Sequence, residues 1–372
     1  MPEAVAILRV GFILASLSQL KGTMLITILI TLVIFVAFIG VLSYFFSYAT
    51  NLSLDPVSTL IGAFGIALFF MLIQFLISPY IVRVTTRLQY LQPGQNQWLE
   101  GTVAKLANAA GVKPPRIAIS PDQTPNAFVF GNSTSNMTLA VNDGLLKALN
   151  ESEIEGVIGH ELGHIRHKDS IVMTFLSAIP LIAYVIVQMA FRVGIYTSMG
   201  GGRRSRDDRG GGGALLIIAA GVVALIVYFV SQLLVLRLSR LREHFADAFS
   251  AYLTGAPRNL ESALTRITYG LSLSPQEAHG ARALYISDPS LAKQEVQDIM
   301  RQKSNYDLDH NGVLDEHELE LAMEQEARSR WSSVNEMFAT HPPTYKRLLL
   351  LKQIDQEISS RGQQSSNIYS RI

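Results

Sequence analysis

The chain has 372 residues with 16% charged side chains, and its mean hydropathy of +0.26 is too apolar for an ordinary soluble protein, which points to the lipid bilayer as a partner. The 31 basic and 30 acidic residues give a net charge of +1, so no global charge favours nucleic acid as a partner. Cysteine is absent, which excludes disulfides, thiolate zinc sites and cysteine nucleophiles.

Four segments are long and apolar enough to cross a hydrocarbon core, which takes about 20 helical residues. Residues 4–20 are predicted to form an interfacial helix along the membrane, and no small-residue cleavage site marks a removable signal peptide. The four predicted transmembrane helices are residues 24–48, 57–82, 170–191 and 214–236.

The distribution of basic residues predicts the orientation. Loop 49–56 has no Lys or Arg, whereas Arg83, Arg87 and Lys105 follow the second segment. Because basic residues concentrate on the cytoplasmic side, we expect the N-terminus and the region after residue 83 to lie there, in a multi-pass protein of the inner or plasma membrane. Loop 200–213 disagrees, since it is rich in glycine and arginine and would lie outside if the third and fourth segments both cross. A hairpin that enters the membrane only part-way is the alternative.

Residues 160–164 read His-Glu-Leu-Gly-His, which is half of a zinc-peptidase site. On a helix, positions i and i+4 lie on one face, so His160 and His164 can bind one Zn²⁺. Glu161 can activate a metal-bound water. The motif also arises by chance, so it requires a third ligand. Its helix is expected to continue through residues 165–169 directly into the third segment.

Glu243 is the expected third ligand. His164 lies six residues before the third apolar segment and Glu243 seven after the fourth, so at ~1.5 Å per residue both groups lie on the order of 10 Å beyond the membrane. Two antiparallel helices would bring them together. Asp247, one turn after Glu243, is placed to orient a ligand imidazole. His167 and His244 are expected to flank the site, since catalytic zinc usually has three protein ligands and a water.

The order of these motifs resembles that of the HtpX-like membrane zinc metalloproteases, relatives of the CAAX prenyl proteases. The resemblance covers about residues 20 to 350 apart from one insertion. Its elements are HELGH and two apolar segments, then SRLREHFADAF at 239–249, PNAF at 125–128, TLAVNDGLL at 138–146, and ATHPP at 339–343 with Arg347.

This resemblance implies peptide hydrolysis with one zinc ion per chain. It places three further side chains near the scissile carbonyl, where imidazole and guanidinium groups can donate to an oxyanion. Two of these have structural alternatives, because Asn126 can shape a turn after Pro125 and the His-Pro step can start a helix. The implied zinc ligands are His160, His164 and Glu243, the general base is Glu161, and the cleft residues are Asn126, His341 and Arg347.

Residues 126–141 alternate in polarity and predict an edge β-hairpin. Such an edge can bind an extended polypeptide substrate by strand addition, which makes Asn126, Ala127 and Phe128 candidate substrate-binding residues.

The expected fold class is a mainly α membrane protein with four transmembrane helices and a cytoplasmic zincin-like α+β protease domain containing a small β-hairpin sheet. The membrane segments are 23–83 and 170–236, after an N-terminal helix at 1–22. The protease domain is expected from 84–169, 237–289 and 331–372, with an EF-hand-like insertion at 290–330.

The insertion contains a twelve-residue loop that fits an EF-hand, with oxygen donors at positions one, three, five, nine and twelve and glycine at six. Helices are predicted at 290–306 and 318–330. The loop predicts one Ca²⁺ that regulates or stabilises the protein, and an acidic turn that binds nothing is the alternative. EF-hands usually pair, so an isolated one binds weakly or pairs across a homo-oligomer. The predicted calcium ligands are Asp307, Asp309, Asn311, Val313 through its carbonyl, Asp315 and Glu318.

Together these features predict an integral-membrane zinc endopeptidase that acts on membrane or membrane-proximal polypeptides, and the resemblance implies a role in quality control of misfolded proteins. A CAAX-type prenyl-protein protease is an alternative enzyme. A calcium-binding membrane scaffold with a vestigial protease site is the alternative from another class, and the intact Glu161 argues against it.

Overall fold

The computed structural model describes residues 22, 25–31, 33–34, 36–38, 40, 56–199, 210–273, 284–311, 314–329 and 334–361. The chain divides into two compact units. Unit one comprises Met1–Gly22, Ser78–Ile171 and Leu236–Ile372, and unit two comprises Thr23–Ile77 and Val172–Val235. The predicted interfacial helix at 4–20 lies outside the described residues.

Two helices are long and apolar enough to cross a membrane, with apolar stretches at Asp169–Gln188 and Ile218–Thr254. Of the four predicted transmembrane helices, the third and fourth thus lie on helices that could cross a membrane, and the prediction of four is not confirmed. In the first two segments the apolar helical stretches found among the described residues are shorter, at 10–17 residues, and are Leu25–Phe38 and Leu72–Thr85. Much of the first predicted segment, from residue 41 onward, lies outside the described residues.

Four helices contain these apolar stretches. They are α1 (Leu25–Phe38), α2 (Pro56–Thr85), α6 (Asp169–Met199) and α7 (Gly210–Thr254). Within unit two, a buried cluster joins Phe38, Ala183, Val187 and Ala224. The remaining helices are α3 (Gln97–Ala109), α4 (Asp143–Ala148), α5 (Glu151–His167), α8 (Pro257–Ser272), α9 (Pro289–Arg301), α10 (Glu316–Ser329), α11 (Val334–Met337) and α12 (Thr344–Arg361).

Unit one contains a four-stranded mixed sheet. Its strands are β1 (Gln89–Tyr90), β2 (Arg116–Ser120), β3 (Ala127–Phe130) and β4 (Thr138–Asn142), in the order β1-β2-β4-β3. The predicted hairpin is present as the antiparallel pair β3–β4, with Phe128 opposite Ala140, and β3 lies at the edge. The sheet is larger than the predicted hairpin, because β2 pairs in parallel with β4. Strand β3 lies between them in the sequence, so residue spacing alone did not reveal this pairing.

Side chains alternate between the two faces of the sheet, as strand geometry requires. Ala127, Leu139 and Val141 pack into the main core with α3, α5, α8 and α12, whereas Phe128 and Ala140 pack in a smaller cluster on the opposite face. The main core therefore fixes α5 against one face of the sheet.

Helix α5 begins and ends at recognisable signals. Asn150 and Glu153 form a reciprocal capping box at its start. At its end Lys168 adopts a left-handed conformation with φ 58°, and α6 begins at Asp169. The prediction of one continuous helix from residue 160 into the third segment is therefore wrong, because the left-handed residue redirects the chain after His167.

Helices also flank the acidic loop. Helix α9 ends at Arg301, earlier than predicted, and a 3₁₀ turn at Lys303–Asn305 follows. Helix α10 begins at Glu316, and Leu319, Ala322 and Met323 on one of its faces join the main core. Residues 312–313 at the centre of the loop lie outside the described residues.

Candidate metal centre

Three possible metal ligands converge in unit one. Nε2 of His160 lies 3.1 Å from Nε2 of His164. The Glu243 carboxylate lies 3.4 Å from the first of these nitrogens and 3.6 Å from the second. Three ligands around a tetrahedral zinc ion with bonds of about 2.0–2.1 Å would be separated by about 3.3 Å. The spacing of these atoms therefore fits a zinc ion.

The outer nitrogens of both rings face carboxylates. Nδ1 of His160 lies 2.9 Å from Asp247, and Nδ1 of His164 lies 2.7 Å from Asp169. A carboxylate oxygen accepts hydrogen bonds, so each neutral ring carries its proton on Nδ1. Both Nε2 lone pairs then point at each other and at a carboxylate. Three acceptors so close together favour a positive charge between them, which a proton on His164 or a metal ion can supply.

Each aspartate is held in turn by an arginine. Arg347 donates to both carboxylate oxygens of Asp247, at 2.8 and 2.6 Å. Arg242 pairs with Asp169 and also donates to the carbonyl of His167 at 3.1 Å. The break in the helix at Lys168 carries Asp169 into this position. Two parallel His-Asp-Arg arrangements thus fix the two imidazoles.

The charges of the site also favour a divalent cation. Four carboxylates and two guanidinium groups leave a net charge of −2 (2 − 4) when the imidazoles are neutral. Burial opposes protonation of His164, but the Glu243 and Asp169 carboxylates outweigh it and raise its pKa to about 9. The charged groups are Glu161, Asp169, Glu243, Asp247, Arg242 and Arg347.

Two glycines allow the helices to approach closely enough. A Cβ atom added at Gly159 would lie 2.7 Å from the hydroxyl of Ser250, and one at Gly163 would lie 3.1 Å from Cα of Ala246. Both neighbours belong to α7, the helix that carries Glu243. Glycine at these two positions therefore allows α5 and α7 to pack closely beside the metal ligands.

Glu161 is almost fully buried beside the metal-ligating side chains. Burial raises the pKa of its carboxyl, and the imidazoles of His164 and His160 lower it less than burial raises it. A backbone hydrogen bond from Val129 on the edge strand β3 also reaches this carboxylate. Glu161 thus lies between the ligand cluster and the edge strand, with raised basicity.

The three predicted substrate-binding residues, Asn126, Ala127 and Phe128, each have contacts within the protein. The Asn126 amide donates to the carbonyl of Leu284 at 3.0 Å and accepts from the N–H of Ile286 at 2.9 Å. Ala127 and Phe128 are buried in the two cores. The contacts of these three side chains with substrate stay a prediction, beside the internal contacts described here.

Arg347 is held by partners within the protein. It is fully buried, and besides Asp247 it donates to the carbonyl of Ile286. It thus lies behind Asp247, and its predicted contact with the scissile carbonyl stays a prediction. His341, in contrast, lies at the ligand cluster, with Nε2 3.7 Å from Glu243.

The acidic loop forms a second cluster of carboxylates. Oxygens of Asp307, Asp309 and Glu318 lie within 4.8 Å of one another. Glu318 is buried and accepts hydrogen bonds from the N–H groups of Leu308 and Asp315, at 2.6 and 3.1 Å. The last carboxylate of the loop is thus turned toward its first residues, and the EF-hand stays a prediction.

Comparisons with known proteins place the chain among peptidases. Residues 93–355 match the family described as Peptidase family M48. The chain is 32% identical over 332 residues to "Protease HtpX homolog" of Aeropyrum pernix, covering 87% of this chain and 95% of the relative. It is 30% identical over 344 residues to "Protease HtpX homolog 2" of Methanosarcina mazei, covering 91% and 97%. The crystal structure of S. mikatae Ste24p aligns with a TM-score of 0.44 and 17% identity over 88% of this chain and 66% of that chain.

Proposed function

Since the chain belongs to peptidase family M48 and is HtpX-like, we propose that it is a zinc-dependent endopeptidase that cleaves membrane and membrane-proximal polypeptides. The observation that carries this proposal is the convergence of His160, His164 and Glu243, with an aspartate oxygen 2.9 and 2.7 Å from the outer nitrogens of the two rings. These three residues would hold the ion. Zinc, when bound, supplies a Lewis acid that polarises the scissile carbonyl and activates water.

Glu161 is the general base of the proposed reaction. Its raised pKa suits a carboxylate that accepts a proton from the attacking water and passes it to the leaving amine. The test is Glu161→Gln, which keeps the shape of the side chain and removes its basicity. Loss of a general base lowers the turnover number by roughly 100- to 10,000-fold, while zinc content should stay at one per chain.

A matched control for that substitution lies on the same helix. Glu155 forms a surface ion pair with Lys105. Glu155→Gln should leave cleavage of an unfolded polypeptide such as casein unchanged, because surface pairs contribute little. If Glu161→Gln cleaves casein as fast as the parent protein, the cleavage does not depend on this site. That result would contradict the proposed peptidase and favour a scaffold function.

The edge strand β3 is the proposed substrate-binding element, through its backbone. It lies at the edge of the sheet, and its residue Val129 reaches Glu161. An extended polypeptide added to this edge would run past the general base, and main-chain hydrogen bonds would bind it with little dependence on sequence. Such tolerance suits an enzyme that removes misfolded proteins in quality control. Cleavage positions on one unfolded substrate would test this, since a strict side-chain motif would contradict it.

The proposed location is the cell membrane, with the metal site on the cytoplasmic side. The two long apolar helices support insertion, and the basic residues after position 83 support the orientation. Because the chain has no cysteine, single cysteines can report topology. In intact cells an impermeant maleimide should label Asn51→Cys, and it should label Lys147→Cys only after permeabilisation. Labelling of Arg206→Cys from outside would support full crossing of the third and fourth segments, and protection would support a hairpin.

The second part of the proposal is that loop 307–318 binds one calcium ion that modulates the enzyme. The cluster of Asp307, Asp309 and Glu318 supports binding. Helix α9, which enters the loop, also contacts the cleft segment, since Glu295 accepts a hydrogen bond from the N–H of Thr344 at 2.9 Å. Ordering of the loop by calcium would therefore stiffen the helix that supports the residues around His341.

Calcium titration tests this second part. Calcium should raise the melting temperature and change the peptidase rate of the parent protein, and Glu318→Gln should abolish both effects. Gln325→Lys, at an exposed position on the same helix α10, makes the net charge more positive by one unit, as Glu318→Gln does. This matched control should respond to calcium like the parent. If calcium moves neither quantity in the parent, the loop is an acidic turn and this part of the proposal fails.

A further inference from the structure

The ring of His341 is held from behind by a short hydrogen-bonded chain that begins at Asp288. The hydroxyl of Thr340 lies 2.9 Å from Nδ1 of His341 and 3.2 Å from Oδ2 of Asp288. The N–H of Thr340 donates to the same oxygen at 3.3 Å. The other oxygen of Asp288 accepts from the N–H and the hydroxyl of Ser290, at 3.1 and 2.7 Å. Asp288 is 0% exposed and His341 is 3% exposed, so the carboxylate and the imidazole are shielded from water, while Thr340 between them is half-buried.

The direction of these bonds follows from the donors and acceptors present. A carboxylate surrounded by four donor groups is held in its ionised form and only accepts. The single proton of the Thr340 hydroxyl therefore goes to Asp288, and a lone pair of the hydroxyl is left for His341. The neutral ring of His341 must then carry its proton on Nδ1.

We propose that Asp288 is a positioning residue which, through Thr340, fixes the orientation and the Nδ1–H tautomer of His341. Nε2 then faces the metal-ligand cluster with a lone pair, 3.7 Å from Glu243. The neutral ring offers an acceptor to the N–H groups of a bound polypeptide, and only the protonated ring is a donor there. The expected effect on catalysis rests on the proposed peptidase activity, whereas the Nδ1–H tautomer of His341 does not depend on it.

Two substitutions of Thr340 separate its hydroxyl from its shape. Thr340→Val keeps the volume and removes the hydroxyl, whereas Thr340→Ser keeps the hydroxyl. In the zinc-loaded full-length enzyme, Thr340→Val should lower kcat on the order of 10- to 100-fold with KM changed less, because the ring is no longer held in place. Thr340→Ser should restore most of that loss. A purely structural role would lower the melting temperature in the valine variant and leave kcat unchanged.

Asp288 is tested through its coupling to Thr340. Asp288→Asn keeps an oxygen for the cap at Ser290 and removes the charge that orients the hydroxyl. Because both groups act along one chain, the double variant with Thr340→Val should be no slower than the slower single variant. Multiplying losses would show that the two residues act separately and would overturn the proposal.

Nitrogen NMR measures the tautomer of His341 directly and does not require peptidase activity. The chain has eight histidines, so ¹⁵N-histidine labelling of the zinc-loaded protein gives few signals, and His341→Gln assigns the relevant ring. We expect a protonated Nδ1 in the parent and in Thr340→Ser, and a mixture of tautomers in Thr340→Val. A parent ring protonated on Nε2 would overturn the proposal even in an active enzyme. A protonated Nδ1 in a protein without peptidase activity would refute only the proposed function.

Discussion

The close contact of α5 and α7 at Gly163 makes a quantitative prediction. Alanine normally stabilises a helix interior by about 1 kcal/mol relative to glycine. At Gly163 the added Cβ would lie 3.1 Å from Cα of Ala246 and 3.3 Å from Cβ of Phe249, which is closer than nearly all such contacts. Overpacking of this kind costs about 1–3 kcal/mol. Gly163→Ala should therefore lower the free energy of unfolding by about 1 kcal/mol, the difference between the two effects.

The same strain should weaken zinc binding. Ala246 lies one turn after Glu243 on α7, so moving the two helices apart moves Glu243 away from His160 and His164. Zinc binding must bring α5 and α7 of the variant back to their close contact, which costs the same free energy of about 1 kcal/mol. This cost corresponds to about a fivefold rise in the dissociation constant for zinc.

Gly101 provides the control. It lies in helix α3 with nothing within 4 Å of an added Cβ. Gly101→Ala should raise the melting temperature slightly and leave the zinc dissociation constant unchanged. Differential scanning fluorimetry and competition with a zinc-binding dye measure both quantities. If Gly163→Ala is as stable as Gly101→Ala and binds zinc like the parent, the account of the helix contact is refuted.

Three further predictions follow from the site. Because the pKa of His164 is raised to about 9, the imidazole of the metal-free protein is protonated at pH 7. Zinc binding at pH 7 should therefore release about one proton, and zinc affinity should fall as the pH falls. Calorimetry in buffers of different ionisation enthalpy measures the release, and its absence would contradict the charge argument. Asp169→Asn should weaken zinc binding roughly 10- to 100-fold by freeing the His164 ring, and an unchanged affinity would mean that this carboxylate does not hold it. Lys168→Gly should raise the free energy of unfolding by about 1 kcal/mol without changing zinc affinity, because glycine adopts φ 58° without a clash; a lower melting temperature would contradict this.

Local spacing accounts for the part of the site that sequence could predict. The i, i+4 repeat places His160 and His164 on one face, and a turn of helix places Asp247 behind Glu243, where it lies 2.9 Å from His160. These relations need only helical geometry. The edge strand β3 followed likewise from alternation.

The remaining features depend on tertiary contacts. Asp247 and Arg347 are 100 residues apart, and Arg242 and Asp169 are 73 residues apart, so no local pattern reveals that they pair. The left-handed turn at Lys168 occurs without the glycine that usually marks one, which is why a continuous helix was predicted. The hydrogen bonds of Asn126 to residues 284 and 286 also join distant parts of the chain, so they could not be seen in sequence.

Zinc K-edge X-ray absorption on the purified full-length protein, combined with metal analysis, tests the central claim most directly. We predict one zinc per chain, with about two imidazole nitrogens at about 2.0–2.1 Å and at least one carboxylate oxygen at about 2.0–2.2 Å. His160→Ala and Glu243→Ala should each lose zinc. A protein that binds no zinc, or that keeps it with an unchanged spectrum in both variants, would contradict the proposed metal centre.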